Sequence, residues 1–198
     1  MVRVYWAEIP EKEIKPKAQS EWAHRLFETA LQREYPSISS PILLQKDEKG
    51  KPFLPEYPGI YMNLSHSGRY AACAIGEKPV GIDIECRKSR RKRELVIKKF
   101  HPEEQRLYMN TEETEQERLF HDLWVLKESF MKAEGTGLGI PLDAFYMEEL
   151  QKGTGRVCQK QNDKIYYYML YQLKDAVFSL AVSSEEADLA KEPLEVFL

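Results

Sequence analysis

The chain has only three cysteines in 198 residues, Cys73, Cys86 and Cys158, and they are scattered. That spacing matches neither a disulfide framework nor a paired-cysteine metal site, and it suits reduced thiols in the cytoplasm. No apolar run approaches the ~20 residues that a membrane-spanning helix needs. The first residues, Met1-Val2-Arg3-Val4-Tyr5-Trp6, read as a strand followed by charge and lack the apolar run of a secretory signal. The formal net charge is −3, which offers nucleic acid no global attraction. What remains is a chain with 42% hydrophobic residues, enough for a real core in one compact unit or two small ones.

Two short stretches concentrate the chemistry. In Gly81-Ile82-Asp83-Ile84-Glu85, a strand over 80–86 puts Val80, Ile82, Ile84 and Cys86 on one face and Gly81, Asp83 and Glu85 on the other. At a rise of about 3.3 Å per residue, the two carboxylates project side by side, ~6–7 Å apart. Gly81 leaves room there for close approach of a ligand. By itself the stretch reads as an edge strand with a solvated acidic face.

The second stretch lies within a helix expected over 118–134. Leu119, Leu123, Leu126, Phe130 and Ala133 make its core stripe, and Gly135-Thr136-Gly137 supplies a stop. Trp124, Glu128 and Lys132 follow at i, i+4 and i+8 on a neighbouring stripe. Alone, that is also the pattern of a surface ion pair at the rim of a core helix.

Taken together, Gly-x-Asp-x-Glu and Trp124-x-x-Lys127-Glu128-Ser129-x-x-Lys132 resemble the signature of the 4′-phosphopantetheinyl transferases of the surfactin-synthetase-activating type. Asn63-Leu64-Ser65-His66-Ser67-Gly68, Gly50-Lys51-Pro52-Phe53 and Gly135-Thr136-Gly137-Leu138 resemble further motifs of that family, in order, across about residues 45 to 145. The resemblance implies an α+β fold made of a pseudo-twofold pair of similar halves, 1–80 and 81–198, with the active site in the cleft between them. The second half would carry the metal motifs. It also implies transfer of the phosphopantetheine arm of coenzyme A to a serine of an apo acyl or peptidyl carrier protein, with release of 3′,5′-ADP.

By position, Asp83, Glu85 and Glu128 would hold Mg²⁺ (Mn²⁺ being possible), with Glu128 also serving as base. Lys132 would hold the diphosphate. Ser65 and His66 would bind the 3′-phosphate, with Lys51 near the same end of the nucleotide. Trp124 is read either as part of the site or as packing. The physics agrees with a cation. Three carboxylates within about 6 Å of one another repel by roughly 3 kcal/mol per pair at an effective dielectric near 20, and all-oxygen ligands suit Mg²⁺ or Mn²⁺. Rival readings are a non-catalytic coenzyme A or carrier-binding module and a metal-dependent phosphoesterase.

The match weakens towards the amino-terminus. Glu11 to Lys17 aligns poorly with the family's basic segment. Leu26 stands at a position that is often polar in the family, which leaves Arg25 and Lys17 as substitutes for binding the 3′-phosphate.

Further helices are expected over 20–34, 91–100 and 101–110, with the last helix reaching back to 115. Strands are expected over 3–7, 60–64, 70–75, 164–173 and 176–183. Ser65 to Arg69 is read as a polar turn between strands, a donor-rich pocket for an anion. The run Arg87-Lys88-Ser89-Arg90-Arg91-Lys92-Arg93 lacks interleaved aromatics, so a surface that steers an acidic carrier fits it better than a nucleic-acid patch. The expected state is a cytoplasmic monomer with an internal pseudo-dimer.

Overall fold

The computed structural model describes residues 1–14, 16–87, 93–171, 173 and 177–198. In chain order its elements are β1 (Arg3–Glu8), α1 (Pro16–Glu34), β2 (Gln45–Lys46), β3 (Pro52–Phe53), β4 (Tyr61–Ser67), β5 (Tyr70–Gly76), β6 (Val80–Cys86), α2 (Arg93–Ile97), α3 (Pro102–Met109) and α4 (Glu113–Glu134). After these come β7 (Phe145–Met147), β8 (Thr154–Gln159), β9 (Tyr166–Tyr171), β10 (Phe178–Ser184) and β11 (Leu194–Glu195), with short 3₁₀ turns between.

Two mixed α/β layers stack face to face. One sheet has the order β11-β1-β5-β4 and the other β6-β10-β9-β8-β7. Between them lies an apolar seam. Val4, Ala72 and Ala74 of the first sheet meet Val80, Ile82, Ile84, Leu180 and Val182 of the second. The outer face of the first sheet packs on α1 through Tyr5, Cys73 and Ile75 against Ala23, Leu26, Phe27 and Leu31. The outer face of the second packs on α4 through Tyr166, Tyr168, Leu170 and Ala181 against Leu126, Phe130 and Ala133. The period-2 alternation of β6 therefore serves two layers. Its even residues enter the seam between the sheets, and its odd residues face α4.

The two layers share a chain path. A strand, a long helix and then an antiparallel hairpin occur in each, as β1, α1, β4–β5 and as β6, α4, β9–β10. In each, the first strand pairs antiparallel with the last. Chain reversal near the end then brings β11 back to pair parallel with β1, so residues 194–195 lie on the sheet of the first 80 residues.

Local chemistry sets the helix bounds. His101 caps α3, Pro102 follows at the first helical position, and Glu104 closes a capping box with His101. Gly135 ends α4 in the left-handed region at φ 73°, its N–H bonded to Met131 O. Helix α1 begins at Pro16, a turn earlier than the expected start at residue 20, as suits a proline in a first turn. Five strands, β2, β3, β7, β8 and β11, escaped the sequence reading. Four of them have only two or three residues, and β8, TGRVCQ, buries only Val157 and has no apolar alternation to read.

The expectation for Ser65 to Arg69 is corrected. Ser65, His66 and Ser67 lie within β4, and the turn is only Gly68 and Arg69. Gly68 takes φ 57°, a conformation that suits glycine at such a tight reversal. Of the basic run, residues 88–92 lie outside the described residues. Arg87 pairs with Asp122 at 3.6 Å, and Arg93 pairs with Glu117 at 3.3 Å.

Candidate active site

β6 is an outermost strand, so one of its edges needs partners from elsewhere. Side chains of β4 supply them. Asn63 Oδ1 accepts the Ile82 N–H at 2.9 Å, Ser65 Oγ the Ile84 N–H at 3.3 Å, and Ser67 Oγ the Cys86 N–H at 3.1 Å. Lysines serve the carbonyls. Lys51 Nζ donates to Val80 O at 3.3 Å and Lys132 Nζ to Ile82 O at 3.2 Å. The two layers are thus joined by side-chain bonds along β6, beside the strand's acidic face.

Gly81 has a different reason from the one expected. A Cβ there would collide with the Ser129 carbonyl and with the backbone of Lys132 and Ala133. The close approach is that of helix α4 rather than of a ligand. It lays the Glu128 and Lys132 turns directly over Asp83.

The result is a cleft of about 290 Å³, walled by Ser65 and His66 of β4, Asp83 and Glu85 of β6, and Trp124, Glu128 and Lys132 of α4. At its floor, Lys132 Nζ lies 2.6 Å from Asp83 Oδ1. Ser65 Oγ donates to the same oxygen at 2.8 Å, and Lys132 Nζ lies 3.2 Å from Ser65 Oγ. Burial pushes the Asp83 carboxyl up, while the Lys132 ammonium and the Ser65 hydroxyl pull it back. His66, on the exposed side of β4, has its pKa lowered, first by partial burial and then by Lys132, so its imidazole is neutral at pH 7. Trp124 lines the cleft and also stacks with Phe100 and Phe120 at 6.4 Å from each.

Six of the seven expected site residues therefore meet in one cleft. Lys51 is not among them. Its ammonium donates to Lys132 O at 2.6 Å and Ala133 O at 3.5 Å as well as to Val80 O, which holds down the last turn of α4. Burial pushes its pKa down to about 8. It borders a separate cavity of about 600 Å³ that is walled largely by Pro52, Phe53, Leu54, Ile60 and Met62. Ser65 also differs from expectation, because its hydroxyl is buried and committed to Asp83 and Ile84. At the amino-terminal end, Leu26 is fully buried in the core of α1. Arg25 stacks over the Trp22 ring at 4.7 Å and does not line the cleft. The Lys17 side chain lies outside the described residues.

One functional neighbour was missed. Lys127, beside Glu128, is fully buried. Its ammonium meets Glu104 Oε2 at 2.7 Å and the carbonyls of Leu142 and Phe145 at 2.8 Å each, with the Phe145 ring 4.0 Å away. A lysine amid the apolar positions 123, 126 and 130 of α4 was the available signal.

The oxygen-only donor set of Asp83, Glu85 and Glu128 fits a hard divalent cation. These carboxylates line the cleft without converging, and among the described residues no three His, Cys, Asp or Glu side chains are gathered as a ready-made metal group. Among those residues, too, no helix is long and apolar enough to cross a membrane.

A family model described as the 4′-phosphopantetheinyl transferase superfamily matches residues 79–183, the segment that runs from β6 through α4 to β10. The chain belongs to that superfamily. It is 33% identical over 191 residues to the 4′-phosphopantetheinyl transferase Sfp of Bacillus subtilis (strain 168), covering 92% of this chain and 84% of that relative. It is 40% identical over 123 residues to the 4′-phosphopantetheinyl transferase gsp of Aneurinibacillus migulanus, 62% of this chain and 50% of that one. A further 4′-phosphopantetheinyl transferase of Bacillus subtilis is 38% identical over 120 residues, 61% and 53% of the two chains. The structure of this transferase is α+β, consistent with membership of that superfamily.

Proposed function

We propose that this transferase moves the phosphopantetheine arm of coenzyme A onto a serine of an apo acyl or peptidyl carrier protein, with Mg²⁺ (or Mn²⁺) as its metal. The observation that carries the reading is the single cleft in which Asp83, Glu85, Glu128, Lys132 and His66 meet. The serine oxygen bonds to the phosphorus that bears the pantetheine arm, the diphosphate P–O bond breaks, and 3′,5′-ADP leaves. Glu128, half-buried at the cleft wall, takes the serine proton directly or through a water. Lys132 holds the diphosphate as a point charge, and Asp83 and Ser65 keep its ammonium in place. His66 contributes to binding the 3′-phosphate. Ser65 acts mainly by holding Asp83, since its hydroxyl is already committed. Lys51 serves this reading from a distance, through the end of α4. Asp83, Glu85 and Glu128 are the residues that would hold the metal, which would neutralise charge developing on the leaving phosphate.

The same reading takes 1–80 and 81–198 as two halves, with the cleft at their joint where β4 meets β6. It also takes the enzyme as a cytoplasmic monomer that meets an acidic carrier transiently. Intact-mass measurement of an apo carrier incubated with the protein, coenzyme A and Mg²⁺ tests it. A gain of one phosphopantetheine on the serine is expected, lost in Asp83→Ala and Glu128→Ala. Binding without transfer would make it a coenzyme A or carrier-binding module, and release of a hydrolysed product would make it a phosphoesterase.

A further inference from the structure

The motifs Asn63-x-Ser65-x-Ser67 and Gly81-x-Asp83-x-Glu85 lie on parallel-running strands with a constant offset. Each polar residue of β4 takes the N–H of the residue 19 positions later, pairing 63 with 82, 65 with 84, and 67 with 86. At the second and third steps, the hydroxyl also donates to the carboxylate 18 positions later. Ser65 Oγ reaches Asp83 Oδ1 at 2.8 Å, and Ser67 Oγ reaches Glu85 Oε2 at 3.3 Å. At the first step, position 81 is glycine and has no side chain to meet. The asparagine therefore serves only the backbone, while both serines serve backbone and carboxylate.

A hydroxyl suits both tasks. Its oxygen accepts from the N–H while its proton goes to the carboxylate. The third step is anchored further. Ser67 O accepts from Cys86 Sγ at 3.1 Å, and the carbonyl of Gly68, next in the chain, accepts from Gln19 Nε2 of α1. Burial differs between the steps. Asp83 is buried and tied to Lys132, whereas Glu85 is half-buried on a strand edge and gains more from being held.

We propose that Ser67 is a positioning residue of the reaction. It holds Glu85 in the rotamer that faces the cleft and fixes the last rung of β6, as Ser65 does for Asp83. This rests on the reading of Glu85 as a ligand of the divalent cation. Partners that orient metal-binding carboxylates are commonly worth ten- to a hundredfold in metal affinity.

The test titrates Mn²⁺ into the protein in the presence of coenzyme A and follows binding calorimetrically, alongside kcat and KM for transfer. Ser67→Ala should bind Mn²⁺ about tenfold more weakly, with most of the loss recovered in Ser67→Thr, which keeps the hydroxyl. Because Ser67 acts through Glu85, adding Ser67→Ala to Glu85→Ala should change Mn²⁺ binding no further. Asn63→Ala, which removes the step without a carboxylate, should lower thermal stability more than it lowers Mn²⁺ affinity. Wild-type affinity in Ser67→Ala, a Ser67→Thr variant as weak as the alanine, or a full additional loss in the double variant would each overturn the inference. If the wild type itself binds no Mn²⁺, the metal reading fails and takes this inference with it. The two failures are therefore distinguishable.

Discussion

At the scale of single residues, the site depends on two close approaches. Gly81 is a point where β6 and α4 meet backbone to backbone. Gly81→Ala would drive its methyl into the backbone at Ser129 and Ala133, which cannot shift as a side-chain tip can. The expected cost is about 2–4 kcal/mol in urea-induced unfolding, together with slower transfer, because Glu128 and Lys132 move with the helix. An alanine variant of wild-type stability and rate would contradict this role.

Lys51 makes the second approach, and it carries a pH dependence. Its pKa is about 8 in the folded protein against 10.5 for an ordinary lysine. Between those values the unfolded chain holds more protons than the folded one, so this group's contribution to stability rises with pH across that window. The rise is at most on the order of 3 kcal/mol. Measuring unfolding free energies of wild type and Lys51→Met from about pH 8 to about pH 10 isolates it. The difference should move in favour of the wild type as pH rises, and a flat difference would refute the assignment.

At the scale of elements, α4 is the component that organises the site. One face packs into the sheet, one stripe lines the cleft, and Lys127 ties its middle to α3 and to the segment that enters β7. Burial lowers the pKa of Lys127 and raises that of Glu104, and each partner's charge opposes the other's shift. Removing one partner should therefore be costly. Lys127→Met or Glu104→Leu alone should each destabilise by about 3–5 kcal/mol, while the two together should regain much of that. A double-mutant cycle by chemical denaturation checks the coupling, and additive losses would show the pair to be independent. How legible these elements were followed from their periodicity. The bounds of β6 and the core stripe of α4 could be read from their alternation and i, i+4 spacing. The strands β7 and β8 could not, because β7 is only three residues long and β8 carries no apolar alternation.

At the scale of the whole molecule, the site belongs to the joint between two layers that share a chain path. Neither layer alone contains both Ser65 and Asp83. The basic run 87–93 follows β6 directly in sequence, and we propose that it steers an acidic carrier towards this joint. Charge reversal at Arg90, Arg91 and Arg93 should raise the KM for an acidic carrier and make it less sensitive to salt, while the KM for coenzyme A stays unchanged. Unaltered carrier kinetics would remove this segment from the docking surface.

The sequence by itself determined which strand and which helix carry the chemistry, because faces of 2.0- and 3.6-residue period are local properties. It also marked three carboxylates and a lysine on those faces, and they line one cleft in the structure. Only the tertiary structure decided what those residues touch. Ser65 and Ser67 look like turn residues in the sequence, yet they complete the open edge of a strand 18 and 19 positions away. Lys51 is expected near one end of the nucleotide, and its ammonium closes the end of α4 some 80 positions later. Gly81 looks like space for a substrate, yet it is filled by a helix. Unpaired N–H and C=O groups at a strand edge and a helix end must find partners. Which side chains meet that need depends on how the two layers stack, and no local pattern in the chain encodes it.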